Sequence, residues 1–209
     1  MLELANLYLF IGATFILCLA PGPDNIYVMT QGITRSKKAA FITTLGLTSG
    51  VIIHTTAAAF GISVIFQTSE LAFNIVKFAG AFYLMYLAYM AYKHKDDTLK
   101  FGHKESKKDL KSLYLKGFIM NVLNPKVSIF FLAFLPQFVS VQNGNVPLQM
   151  IVLGITFMII TVIVFTSMGI IANRLGEKIV ANPSISKYLN IITSGVFFSL
   201  GLKLAFSQR

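Results

Sequence analysis

Two charged residues stand in apolar surroundings, each directly after a proline: Asp24 in "APGPDNIYVM" and Lys126 in "NVLNPKVSIF". An acid and a base in matched settings can neutralise each other as a static ion pair or hold the two ends of a zwitterionic cargo. The acid can also exchange a proton as its surroundings change. A lone charge at the centre of a membrane helix costs at least about 2.5 kcal/mol, so such groups pair or line a pathway. Of the eight acidic residues, Asp24 alone lies clearly inside an apolar run.

The neighbouring residues fit such a site. Pro21, Pro23 and Pro125 each remove an amide donor and clash with the preceding turn, and Gly22 adds backbone freedom, so the helices should break there. Helices that restart near Asn25 and Lys126 present free N–H groups, which suit a carboxylate. Asn25, Asn121 and Asn124 add neutral hydrogen-bonding groups. In "GLTSGVIIHTTAAAFG", Gly46, Gly50, His54 and Ala58 recur every four residues on one helix face. Small residues so spaced let helices pack closely, and His54 there either titrates or is satisfied by a threonine or the backbone. Lys77 lies about two turns from Glu70, placed either to snorkel or to turn inward toward Asp24.

The elements that must hold these residues are membrane spans. The 209 residues are 55% hydrophobic and 12% charged, with a mean hydropathy of +0.70, too apolar for a water-soluble surface. Six apolar stretches follow: Leu4 to Ile33 with an interruption, Ala39 to Phe66, Leu71 to Tyr92, Leu113 to Phe138 with an interruption, Pro147 to Asn173, and Ile185 to Phe206. Each reaches the roughly 20 residues that cross a bilayer as a helix. No basic residue precedes the first stretch and Leu17 before Cys18 is a poor lipoprotein signal, so that segment is expected to stay in the mature chain. Cys18, the single cysteine, reads as a small packing residue.

Basic residues mark the connections. Arg35, Lys37 and Lys38 fall in the first. Lys93, Lys95, Lys100, Lys104, Lys107, Lys108, Lys111 and Lys116 fall in the third, and Arg174, Lys178 and Lys187 in the fifth. These are fourteen of the chain's 18 Lys and Arg; the second and fourth connections hold none. Lys203 and Arg209 lie at the C-terminal end. Positive loops stay inside, which places the basic loops in the cytoplasm and both termini outside. The net charge of +10 is thus a matter of topology, and no nucleic-acid partner is expected.

The expected fold is all-α: one membrane domain of six transmembrane helices, built as two inverted three-helix repeats with broken first helices. The repeats run over about 1–93 and 113–209, joined by a basic loop of about 94–112. Interrupted segments in corresponding positions of inverted halves point to a transporter's midplane site. There is no phosphate-binding loop and no zinc motif, and the histidines at 54, 94 and 103 are poorly placed to share a metal. Neither a cofactor nor an enzymatic activity is expected.

"PGPDNIYVMTQGITRSKKAAFITTLGLTSG", "KFAGAFYLMYLAY" and "GFIMNVLNPKVSIFFLAFLPQF" carry a resemblance along nearly the whole chain. The sequence resembles the LysE/RhtB family of bacterial amino-acid exporters. The resemblance implies a small, homo-oligomeric inner-membrane translocator that expels amino acids such as threonine, homoserine or lysine using the proton gradient. It maps the family's functional carboxylate onto Asp24. Members with cationic substrates carry further membrane carboxylates, which this chain lacks, so a neutral substrate is expected. The competing readings are a passive channel, which would not accumulate substrate against a gradient, and an exporter of another small solute or ion.

Overall fold

The computed structural model describes residues 3–62, 70–97, 109–140, 142–176 and 182–206, and the described residues form helices and connections with no strand. The first apolar stretch is two helices, α1 (Leu4–Leu19) and α2 (Pro23–Thr34), bent by 59° at the Pro21–Gly22–Pro23 break. Next comes α3 (Lys37–Ala57), extended by a π-helical turn over Ala58–Ile62, and then α4 (Glu70–Lys93). The fourth stretch is again double. α5 (Leu110–Val122) meets α6 (Pro125–Ile129) at a 49° bend, and α6 runs on through π and 3-10 turns to Phe138. Two long helices complete the chain, α7 (Val146–Leu175) and α8 (Pro183–Phe206). Among the described residues, four helices are long and apolar enough to cross a membrane, or up to six spans if each bent pair counts as one. The end of the second expected span beyond Ile62, the loop through Ser69, His103, Lys100, Lys104, Lys107, Lys108, Lys178 and Arg209 lie outside the described residues.

Local chemistry sets the helix ends. Ser36 caps α3 by accepting the Ala39 N–H at 3.1 Å, and the Asp109 carboxylate accepts the Ser112 N–H of α5 at 2.7 Å. Asn145 caps α7 at the Leu148 N–H, and Gly176 ends that helix at φ +74°, a conformation glycine adopts without strain.

The polarity of the bundle is inverted relative to a soluble domain. Large apolar side chains such as Phe82, Ile163 and Phe206 face outward, whereas Asp24, Asn25, Thr43, Thr44, His54 and Asn121 are buried. That is the arrangement a hydrocarbon solvent selects. Glycines bring helices together where backbones nearly touch. A Cβ on Gly46 would lie 2.1 Å from the Tyr114 carbonyl oxygen, and one on Gly32 would lie 2.3 Å from that of Gly169. The first contact joins α3 to α5 and the second α2 to α7.

Contacts also show which connections share an end. The Asn173 side chain donates to the Gly32 carbonyl at 2.8 Å, Lys187 pairs with Asp96 at 2.9 Å, and Lys116 stacks on Tyr27. The first, third and fifth connections therefore meet at one end of the bundle. At the other end, Asn143 donates to Glu3 at 3.2 Å.

Candidate functional site

At the first break, α1 ends with carbonyls that have no helical partner and α2 begins with free N–H groups. Asn25 serves both. Its Oδ1 accepts the Gly22 N–H at 2.7 Å, and its Nδ2 donates to the Ala20 carbonyl at 2.8 Å and the Cys18 carbonyl at 3.2 Å. Pro23 occupies the first turn of α2, where its missing donor costs nothing.

The second break uses a different device. Asn124 Oδ1 accepts the Lys126 N–H at 3.0 Å, with Pro125 in the first turn of α6. The Asn121 carbonyl, near the end of α5, accepts the Asn124 N–H at 2.9 Å and meets His54 Nε2 at 3.0 Å. His54 thus reaches from α3 to the backbone of the second break. Gly50, one turn earlier, lets the Asn121 side chain lie against α3, since a Cβ there would sit 2.7 Å from Asn121 Oδ1.

The two breaks enclose a small cavity lined by Asp24, Asn25, Asn121, Asn124 and Lys126, with Gly22 beside them. Its volume is about 20 Å³, room for one water-sized group. Asn121 Nδ2 donates to Asp24 Oδ2 at 3.1 Å. The Asn124 side chain also lies within reach of the Asp24 carboxylate, while Asp24 Oδ1 and Asn121 Oδ1 are buried with no closed hydrogen bond among the described residues. The Lys126 ammonium donates to the Ala20 carbonyl at 3.0 Å, and no Asp24–Lys126 ion pair occurs among the described residues. Acid and base thus share one cavity without being closed on each other. The cavity presents two unused acceptors beside a cation.

Gly22 and Lys126 also line a second, much larger space of about 900 Å³. It lies between α2, α4 and α8, with Pro21 and Pro23 at one end and His94, Asp96 and Asp97 at the other. The opposite side of the breaks is filled. Phe10, Phe130, Phe131, Phe134, Phe138 and Phe157 are buried and stack on one another, with ring centroids 4.9–6.0 Å apart.

Of the residues singled out from sequence, Asp24, Asn25, Asn121, Asn124, Lys126 and Gly22 line the cavity, and His54 supports it from behind. Lys77 lines neither space; it is buried on α4 with its ammonium 4.6 Å from the Phe78 ring. Sequence reasoning missed the wall that α1 and α7 contribute: Leu17, Cys18, Phe157, Thr161 and Phe165. Cys18 does pack in the core, and it also faces this cavity. The only signal available was the four-residue spacing of Phe157, Thr161 and Phe165, which any packed helix shares.

Helices of membrane length, inward-turned polar groups and a charged cavity between two broken helices define a multi-pass membrane transport protein. The profile of the LysE type translocators matches residues 15–208, and the chain belongs to that family. It is 30% identical over 196 residues to the homoserine/homoserine lactone efflux protein of Salmonella typhimurium, covering 93% of each chain, and equally to that of Salmonella typhi. The uncharacterized membrane protein YrhP of Bacillus subtilis is 28% identical over 210 residues, 97% of this chain and 99% of its own. No solved structure matches this chain.

Proposed function

We propose that this protein is a secondary active exporter of small neutral amino acids of the homoserine and threonine type, driven by the proton gradient across the bacterial inner membrane. The observation that carries the reading is the unpartnered Asp24 Oδ1, buried between the two breaks beside Asn121 Oδ1 and Lys126. Two acceptors fit a substrate ammonium, and the Lys126 ammonium fits its carboxylate. The efflux function in the names of the Salmonella relatives supports the same direction of transport.

Asp24 has two exclusive tasks in this scheme. As a carboxylate it holds the substrate ammonium; when it takes up a proton that hold is lost and the cargo leaves. Loading needs room beyond 20 Å³, and Gly22 and Lys126, which border both spaces, form the wall that must yield. The large space then serves as the entry from the cytoplasm, and the phenylalanine cluster as the barrier on the outer side. Moving Lys126 from the Ala20 carbonyl to a substrate carboxylate couples binding to that opening.

The two bent pairs are the first spans of two inverted repeats in this reading, giving six spans with both termini outside. The packing supports it: α3 lies against α7 and α4 against α8, each helix against its own counterpart, and the α3–α5 contact is echoed by α7 against α1. The end where the basic connections gather faces the cytoplasm. The lipid bilayer surrounds the bundle, and a homo-oligomer is the assembly implied by the family resemblance.

Purified protein in proteoliposomes with an acid lumen tests the assignment against a panel of labelled amino acids. Homoserine and threonine are expected to accumulate above equilibrium, and lysine is not. Equilibration without accumulation marks a passive channel, and no flux of any amino acid sinks the proposal.

A further inference from the structure

We infer that Thr161, supported by Cys18, selects substrates whose short side chain carries a hydroxyl. This rests on the amino-acid export reading and adds to it the part of the site that distinguishes one neutral amino acid from another. The charged residues of the cavity come from the breaks and address the groups all amino acids share. What remains for the side chain is the wall from α1 and α7.

That wall is apolar except at one point. Phe157, Thr161 and Phe165 present one stripe of α7, and Leu17 and Cys18 come from the end of α1. Thr161 Oγ1 and Cys18 Sγ are 3.5 Å apart, both residues buried, and among the described residues neither side chain makes another hydrogen bond. Thr14, Thr48 and Thr166 leave their hydroxyls without a partner among the described residues, and most other helical threonines turn theirs back onto their own helix. Thr30, Thr43, Thr44, Thr55, Thr56 and Thr156 each return the hydroxyl to the carbonyl four residues back, at 2.8–3.0 Å. Thr161 instead turns its hydroxyl off its own helix toward the cavity wall. A thiol is a weak hydrogen-bonding partner. A substrate hydroxyl would replace it with a stronger O–H···O bond in a setting without competing water.

The phenylalanines on either side of Thr161 leave little room for a longer side chain, which confines the preference to short ones. A side chain of the same shape ending in methyl would bury the Thr161 hydroxyl against carbon. Sites that hydrogen-bond a substrate hydroxyl reject such analogues because their own polar group is left behind.

The experiment compares isosteric pairs, homoserine with norvaline and threonine with valine, by gradient-driven uptake into proteoliposomes. Wild-type protein should prefer the hydroxylated member of each pair. Thr161→Val keeps the shape and removes the hydroxyl, and should lower that preference by about tenfold, the loss of one buried hydrogen bond. Thr161→Ser should retain it. Equal transport of both members by wild type, or an unchanged ratio in a Thr161→Val protein that still moves norvaline, overturns the inference and leaves amino-acid export standing. If the valine variant does not fold, Thr161→Ala takes its place and should show the same loss of preference; an unchanged ratio in it overturns the inference. Absence of gradient-driven flux for all four compounds would overturn the export reading, and this inference with it.

Discussion

Asn25 supplies one accepted and two donated hydrogen bonds to the backbone groups stranded between α1 and α2, so a single amide replaces the helical ladder where prolines forbid it. In hydrocarbon no water stands in for a lost partner. Asn25→Ala is therefore expected to cost about 2–4 kcal/mol, since more than one buried group is left unsatisfied. Thermal unfolding in detergent measures this; an unchanged midpoint would show that the break is held by something else. Asp24, Lys126 and the asparagines were legible in the sequence because a charge or an amide beside a proline in an apolar run has few innocuous explanations. Thr161 was not. A threonine in an uninterrupted helix ordinarily bonds its own backbone, and only the rotation of α7 about its axis turns this one toward the cavity.

Among the four unbroken long helices, α4 and α8 are the least enclosed, with 28% of each span buried against 61% for Lys37–Gly61. Yet they border the large space that leads to Lys126. Their ends beside the basic connections are joined by the exposed Asp96–Lys187 pair and by Asn190 donating to the His94 carbonyl at 3.2 Å. Hydrogen bonding to Lys187 holds the Asp96 carboxyl below the usual carboxylate range. A lowered acid keeps its contribution until pH falls through that lowered value, so Asp96 stays charged and paired through neutral pH. It cannot be the origin of a pH dependence near neutrality. Asp96→Asn should leave the midpoint of the flux–pH profile in place, whatever it does to the rate, and a displaced midpoint would refute this assignment. The element boundaries themselves were largely legible, because long apolar runs, prolines and caps act locally. The bends of 59° and 49° were not, since an angle depends on what the half-helices pack against.

For the whole molecule, the two sides of the breaks differ: a space of about 900 Å³ opens toward the end that gathers the basic connections, and a stack of phenylalanines closes the other. On the proposed topology that asymmetry is the form of an inward-facing transporter, and the proposed inverted repeat would give it a counterpart state in which the roles exchange. Sequence showed the pairing of the breaks through "PGPDN" and "NPK", but not which side is open, because that depends on how the helices pack on one another and not on what each one contains. The proposed mechanism converges on Asp24, whose buried oxygen would hold cargo in one state and a proton in the other. Homoserine uptake into proteoliposomes with an acid lumen, compared between wild type and Asp24→Asn, tests that most directly. Accumulation above equilibrium by wild type, with none by the variant, is the result expected here; accumulation to the same level by Asp24→Asn would contradict it.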